Sequence, residues 1–252
     1  MRCGRGPWSV SVPDSQMSGY QGRGYQLLIF DWDGTLVDSI GRIVAAMHLA
    51  ADACELPRCT DEQVRGIIGL GLPEAVRCLY PDMHDAPRAQ RLRQSYSENY
   101  LLLESEPSPL FHGVAEGLQA FRAEGYRLAV ATGKGRHGLQ RVLADRGWLD
   151  YFDYSRCADE TASKPDPRML HEILAQSGVA ANQALMVGDS SFDLLMAQRA
   201  GMDCVAVGYG AQSLQALREC QPTLAIECFT ELRAWLGQRA SNHSVEVVLH
   251  GR

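Results

Sequence analysis

Residues 27–39 read LLIFDWDGTLVDS. Its first four residues are all apolar, a pattern typical of a short strand buried on both faces of a parallel sheet. This strand pattern ends directly in Asp31, and a second carboxylate follows at Asp33. Gly34 then permits a tight turn with exposed backbone N–H groups. Such a loop can hold a metal ion and an anion together.

Similar apolar runs recur along the chain, separated by stretches long enough for a helix. This alternation predicts an α/β fold, with a doubly wound, Rossmann-like parallel sheet covered by helices on both faces. One helix is predicted from Asp166 as cap and Pro167 as first residue to a point before Gly178, and another covers 113–123. The further predicted strands are 128–131, 184–187, 204–207 and 223–226, with a short run near 152–157.

The first two predicted strands are too far apart in sequence for a single crossover helix. Apolar spacing from Ile40 to Cys54, and helical segments near 73–80 and 87–103, predict an α-helical cap domain inserted there. Met17 is a candidate true start, because patterned sequence begins only at Tyr25. The predicted division is a disordered leader at 1–24, a core at 25–40 and 108–239, the cap at 41–107 and a flexible tail at 240–252.

Composition excludes several classes of protein. The 252 residues carry a formal net charge of −6, which argues against a basic surface for nucleic acid or membrane. The eight cysteines show no C-x-x-C or zinc spacing, so we expect reduced thiols. No apolar run approaches the roughly 18 residues of a membrane span, and no signal peptide is evident. The expected location is therefore the cytoplasm.

Further polar clusters follow the predicted strands, where open α/β sheets place their sites. The second strand runs into Thr132-Gly133-Lys134, and the strand at 184–187 runs into Gly188-Asp189, with Asp193 one helical turn later. Lys164 precedes the helix predicted at Pro167. Of the 24 basic residues, only Lys134 and Lys164 are lysines, and both lie in these clusters.

These motifs, in this order, resemble the haloacid dehalogenase superfamily of phosphatases over about residues 25–237. The four matching elements are Asp31-x-Asp33-Gly-Thr, Thr132, Lys164-Pro165 and Gly188-Asp189-x-x-x-Asp193. The predicted insertion matches the position of the helical caps of that family. Within it, the chain is most similar to phosphoglycolate phosphatases, through Asp33-Gly-Thr-Leu-Val-Asp38-Ser39 and Lys-Pro-Asp-Pro.

The resemblance implies a mechanism. Asp31 would be the nucleophile that forms an aspartyl-phosphate, and Asp33 would protonate the leaving oxygen and then activate water. The clustered negative charge requires Mg²⁺ and a cation, here Lys164. The implied metal ligands are Asp31, the backbone carbonyl of Asp33, and Asp189. Asp193 would hold either Lys164 or a metal-bound water, although on its own it could be a solvated helix residue.

The phosphate and substrate contacts are less specific. Thr132, the backbone of Gly133 and the Gly34 loop amides would hold phosphate oxygens. Lys134 could contact the substrate or be solvated. The Gly-rich segment from Arg65 to Gly71 could dip toward the substrate, with Arg65 as a contact, or could be a plain turn between helices.

Competing functions differ in the residues that they need. The dehalogenase branch needs neither metal nor Asp33, and phosphonate cleavage needs a cap lysine, which residues 38–109 lack. A β-phosphoglucomutase-like phosphosugar mutase shares all four motifs and stays open. A binding module is disfavoured because no catalytic aspartate is missing.

The predicted substrate is a small phosphorylated metabolite. Residues 41–107 hold seven arginines and ten acidic residues, a net charge of −3, which gives no help to a nucleic acid or polyphosphate. Phosphoglycolate leads by resemblance, and the alternatives are a sugar phosphate, pyrophosphate or a nucleoside monophosphate. We expect a monomer or a homodimer that binds neither nucleic acid nor membrane.

Overall fold

A computed structural model describes residues 24–250, with side chains for 24–239. Six parallel strands form one sheet in the order β3-β2-β1-β4-β5-β6, so the direction of winding reverses between β1 and β4. Ligands of open α/β sheets bind beyond the carboxyl ends of strands at such a reversal. The strands are β1 (Leu27–Phe30), β2 (Arg127–Thr132), β3 (Tyr154–Cys157), β4 (Ala184–Gly188), β5 (Asp203–Val207) and β6 (Leu224–Ile226).

The first four helices after β1, which precede α5 and β2, form what we call the helical insertion. They have a small apolar core of their own, in which Met47, Val64 and Ile68 are buried together with Tyr100. The shortest was not predicted, although its signal is present: Thr60 and Gln63 form a reciprocal capping box. The helices are α1 (Ile40–Ala53), α2 (Asp61–Arg65), α3 (Leu72–Leu79) and α4 (Ala86–Leu103).

Six more helices cover the sheet. The helix predicted from Pro167 begins at Arg168, one residue later, because the Asp166 carboxylate accepts the Arg168 N–H at 2.9 Å and Pro167 becomes the cap residue. The helices are α5 (Val114–Ala123), α6 (Arg136–Ala144), α7 (Arg168–Ser177), α8 (Ser191–Arg199), α9 (Leu214–Arg218) and α10 (Phe229–His250).

The sheet is buried on both faces, as its apolar strands predict. Leu28 and Phe30 of β1 pack in one cluster with α5, α6 and α10, whereas Leu27 and Ile29 pack in the other with α7, α8 and α9. This alternation follows from the two-residue period of a strand. The doubly wound α/β sheet is confirmed, and all six predicted strands are present with ends shifted by two residues at most.

The ends of the chain differ from the expectation in one respect. The predicted leader, except Gly24, and the candidate start Met17 lie outside the described residues. The predicted flexible tail has a helical backbone as far as His250, because α10 continues through it. Once nucleated, a helix adds one hydrogen bond per residue, so it can extend through weakly patterned sequence. No helix within residues 24–250 is both long and apolar enough to cross a membrane.

Candidate active site

The polar residues predicted from the sequence meet at one edge of the sheet. Asp31 follows β1, Thr132 ends β2 and Asp189 follows β4. Since β1 pairs with β2 on one side and with β4 on the other, their carboxyl ends are neighbours. The loop before α7 brings Lys164 to the same place.

Lys164 is the centre of a buried ion-pair cluster. Its Nζ lies 2.6 Å from Oδ1 of Asp31 and 2.6 Å from Oδ1 of Asp193. All three side chains are at most 1% exposed, so Asp193 is not a solvated helix residue. Two carboxyl groups share one ammonium group, so the cluster has a net negative charge when both are ionised, which favours a further cation.

The position of Asp193 is fixed by the start of α8. Its Oδ2 accepts hydrogen bonds from the Ser190 hydroxyl at 2.6 Å and from the Ser190 N–H at 3.2 Å, which makes a capping box. A side chain at Gly188 would collide with Asp193, so glycine there permits this close approach. Asp193 thus holds Lys164, the first of the two alternatives predicted for it.

Asp189 is held between two loops. Its Oδ1 accepts from the Thr35 hydroxyl at 2.9 Å, and its Oδ2 accepts from the Ala211 N–H at 2.7 Å. Gly34 has a φ of +85°, and a Cβ at Gly34 or Gly210 would collide with the Asp189 side chain. These two glycines leave the space that Asp189 occupies.

The amide of Gly34 does not fit its predicted role in phosphate binding. The Gly34 N–H donates to the carbonyl oxygen of Val37 at 2.9 Å, which closes the turn. The glycine is needed for its positive φ and for the room it leaves beside Asp189. Its place in the site is therefore structural.

Burial changes the acid strength of the clustered carboxyl groups. Loss of water raises the pKa of Asp31 well above its usual range, and Asp193 and Asp189 add to this whereas Lys164 opposes it. Burial, with the charge of Asp193, raises the pKa of Asp189 to about 7. Burial alone would lower the pKa of Lys164, but the two carboxylates raise it overall, so the lysine stays charged.

The carboxylates fit a divalent metal ion. One oxygen from each of Asp31, Asp189 and Asp193 lies within 4.8 Å of the others. Oδ2 of Asp31 is buried without any hydrogen-bond partner among the described residues. An unpaired carboxylate oxygen in an acidic cluster is the kind of hard ligand that Mg²⁺ prefers. The Asp33 side chain is not part of this cluster, so a contribution from Asp33 is restricted to its backbone carbonyl.

Asp33 makes a separate set of contacts. Its Oδ1 accepts from the Ser39 hydroxyl at 2.7 Å, and its Oδ2 lies 3.2 Å from Nζ of Lys134. Lys134 also lies over the Tyr100 ring of α4, 4.6 Å from its centroid. The Lys134 side chain is only 13% exposed, so the solvated alternative for it is wrong.

A cavity of about 600 Å³ lies between this edge of the sheet and the helical insertion. Asp31, Asp33, Thr132 and Lys134 line it from the side of the sheet. The opposite side is mostly apolar and comes from the insertion. The apolar side chains there are those of Ile43, Met47, Ile67, Ile68, Leu70, Leu72, Pro73, Ala75, Tyr96, Tyr100 and Leu101, and the insertion also contributes Gly69, Glu74 and Ser97.

The Gly-rich segment of the insertion reaches the core. A Cβ at Gly133 would collide with the carbonyl oxygens of Gly69 and Leu70, and the Gly71 N–H donates to the Ser163 hydroxyl at 2.8 Å. The segment therefore dips toward the site, the first of its two predicted alternatives. The Thr132 hydroxyl, at the same place, accepts the Lys134 N–H at 3.1 Å.

Arg65, predicted as a substrate contact, lies outside the cavity lining. Its side chain is exposed at the end of α2 and does not line the cavity. The preceding residue, Val64, is buried in the insertion. Successive residues of a helix point about 100° apart, so Arg65 is turned toward solvent.

Sequence reasoning missed several residues that line the cavity. Tyr96 and Tyr100 are spaced by four on α4 and share one face, with ring centroids 6.0 Å apart. Arg141 of α6 also lines the cavity and pairs with Glu104, whose other oxygen lies 3.1 Å from Arg42. The spacing of the two tyrosines by four residues could have predicted that they share a helix face. The Arg141–Glu104 pair joins distant segments of the chain, so no local sequence pattern indicates it.

Comparisons with known proteins show which family the chain belongs to. The family model of haloacid dehalogenase-like hydrolases matches residues 28–207. The chain belongs to this family. Within it, the chain is 35% identical to the probable phosphatase IndB of Dickeya dadantii, over 82% of this chain and 91% of that protein. It is 31% identical to a phosphoglycolate phosphatase of Pectobacterium atrosepticum, over 88% of this chain and 96% of that protein.

A solved structure of this hydrolase family has the same architecture. A predicted phosphoglycolate phosphatase from Haemophilus somnus superposes with a TM-score of 0.73 at 25% identity, and covers 84% of this chain and 97% of that one. The predicted membership of the superfamily and the assignment to its phosphatases are confirmed.

Proposed function

We propose that this hydrolase cleaves phosphate monoesters of small metabolites with the aid of Mg²⁺, through an acyl phosphate formed on the Asp31 carboxylate. The observation that supports this proposal most directly is the buried cluster in which Lys164 contacts both Asp31 and Asp193. In this cluster, Oδ2 of Asp31 has no hydrogen-bond partner among the described residues. Asp31 is among the residues that line the cavity, so a phosphate ester bound there would lie beside its carboxyl group.

In the first step, an Asp31 oxygen attacks phosphorus and the bond from phosphorus to the alcohol oxygen breaks. Protonated Asp33 gives its proton to that leaving oxygen. In the second step, Asp33 takes a proton from water, the water oxygen attacks phosphorus, and Asp31 leaves as a carboxylate. Phosphate is released and Asp33 is again protonated, so atoms and charges balance.

The surrounding residues position these two groups. Lys164 holds Asp31 by its ion pair and offsets the charge of the phosphate. Ser39 and Lys134 hold the Asp33 carboxyl from both oxygens. Mg²⁺ bound by Asp31, Asp189 and the Asp33 carbonyl would supply further neutralisation of phosphate charge. The Thr132 hydroxyl lies in the cavity lining, where a phosphate oxygen can accept from it.

The names of the relatives make phosphoglycolate the reference substrate, and sugar phosphates and pyrophosphate are the alternatives. A phosphosugar mutase would use the same first step but return the phosphoryl group to the substrate. The helical insertion is proposed to act as a cap that excludes water during transfer. The expected cytoplasmic location and the monomeric or dimeric state stay predictions, which cell fractionation and light scattering test.

The test is a turnover screen of phosphate esters with Mg²⁺ or with excess chelator, followed by product analysis. We expect metal-dependent release of inorganic phosphate, whereas isomerised substrate would indicate the mutase. Adding methanol diagnoses the shared intermediate: a phosphorylated Asp31 predicts one ratio of methyl phosphate to phosphate for every substrate. Ratios that vary with the leaving alcohol, or full activity in chelator, contradict the proposal.

A further inference from the structure

Resting on that proposed function, we infer that the preferred substrates are phosphate esters of alcohols that carry an apolar ring and no second negative charge. The inference follows from the wall of the cavity that faces the catalytic carboxylates. It concerns the leaving alcohol alone, since the hydrolytic step is unchanged: ester and water give alcohol and phosphate.

The insertion side of the cavity is suited to a ring. Tyr96 and Tyr100 present two neighbouring rings from α4, and Ile43 and Met47 face the same space from α1. Ile67 adds a further apolar side chain from the Gly-rich segment. Aromatic pairs and aliphatic contacts stabilise a bound ring through burial and through offset or edge contacts.

The size of the cavity also favours a substrate whose alcohol carries a ring. A volume of about 600 Å³ lies within the range of pockets that enclose ligands of drug size. With its phosphate beside Asp31, a two-carbon acid would leave most of the apolar wall in contact with water. A ring-bearing alcohol would cover that wall. The apolar surface removed from water in this way makes the free energy of binding more favourable.

The charges of the lining disfavour a second anion. Among the described residues that line the cavity, the only lysine and arginine are Lys134 and Arg141, and each is paired with a carboxylate, Asp33 and Glu104. Four lining carboxylates oppose these two cations: Asp31, Asp33, Glu74 and Asp159. Lys134 could pair with a substrate carboxylate only while Asp33 holds its proton, and the other lining carboxylates oppose a second anion, so that carboxylate would lose its hydration for little gain.

The test compares three primary alkyl phosphates, so that differences in leaving-group chemistry stay small. They are 2-phenylethyl phosphate, 2-hydroxyethyl phosphate and phosphoglycolate. With Mg²⁺ and the full chain, we expect kcat/KM for the phenylethyl ester to exceed that of the hydroxyethyl ester by about tenfold or more, the scale of added apolar contact in a pocket. Phosphoglycolate is expected to be the poorest of the three.

Variants locate the effect in the cavity. Tyr96→Ser should lower the preference for the phenylethyl over the hydroxyethyl ester by about tenfold, and Tyr96→Phe should keep it. Leu102→Ser is the matched control, because Leu102 is on the same helix, 80% exposed and outside the lining. Ile67→Ser provides a second cavity variant from a different segment if Tyr96→Ser does not fold.

The outcomes separate this inference from the proposed function. If phosphoglycolate has the highest kcat/KM, or if both cavity variants keep the full preference for the ring, the inference is wrong and the phosphatase stands. If none of the esters releases phosphate with Mg²⁺, the proposed function fails and the inference fails with it.

Discussion

The two walls of the cavity differ in polarity: one carries charged side chains, and the other is mostly apolar. The wall at the sheet edge includes Asp31, and the buried Lys164 beside it contacts both Asp31 and Asp193 at 2.6 Å. The wall from the insertion is mostly apolar, and it meets the core chiefly through the Gly-rich segment and Tyr100. We therefore expect the chemistry to depend on the charges at the sheet edge, and the inferred selectivity to depend on the apolar side chains of the insertion.

The largest effect should come from the charged wall. Asp31→Asn keeps the shape of the side chain but removes the nucleophile, so kcat should fall by about four orders of magnitude. Turnover of a preferred ester, with circular dichroism to check the fold, measures this. A variant with near wild-type kcat would show that Asp31 is not the nucleophile.

Breaking the central ion pair should lower stability more than breaking an exposed one. Lys164→Met leaves two buried carboxylates without their cation, which should lower the free energy of unfolding by about 3–5 kcal/mol. The control is Asp52→Asn in the insertion, whose exposed pair with Arg58 is screened by water and should contribute far less to stability. Urea titration without metal measures the free energy of unfolding of both variants. Equal losses in the two variants would show that the buried ion pair is no more important for stability than the exposed one.

Asp33→Asn should slow the reaction by about 10²–10⁴-fold, the usual contribution of a positioned acid or base. Both the release of the alcohol and the hydrolysis of the intermediate should slow, because one carboxyl group serves both. Rapid-quench measurements of alcohol and of phosphate separate the two steps. Unchanged rates for both would remove Asp33 from the mechanism.

The smallest expected effect is that of Mg²⁺ on melting temperature, and it should depend on pH. The pKa of Asp189 is raised to about 7 without metal, so at pH 6 this ligand is mostly protonated and must lose a proton to bind the ion. At pH 8 it is already ionised. The stabilisation by a fixed Mg²⁺ concentration should therefore be larger at pH 8 than at pH 6, measured by thermal scans, and Asp189→Asn should reduce it at both.

Much of the fold and of the charged wall could be predicted from residue order alone. The strand at Leu27–Phe30, the carboxylates after it, and Lys164 before a helix are local patterns, and a parallel sheet necessarily brings the ends of its neighbouring strands together. The N–H of Gly34, one of the loop amides predicted to hold phosphate, is bonded within its turn, and the side chain of Arg65, predicted as a substrate contact, lies outside the cavity lining. In each case the residue type was suitable, but the local backbone geometry was not. The Gly34 N–H closes its own turn, and Arg65 lies on the face of α2 that is turned toward solvent.

Sequence by itself determined which residues can do chemistry at the sheet edge, because their order and strand-end positions are local properties. Only the tertiary structure decided that Lys134 pairs with Asp33, that Arg141 pairs with Glu104, and that the Gly-rich segment packs on Gly133. Such contacts join segments far apart in the chain, and they depend on how the insertion packs over the sheet. The same packing produces the apolar wall, so the size and charge of the leaving alcohol could be inferred only from the folded chain.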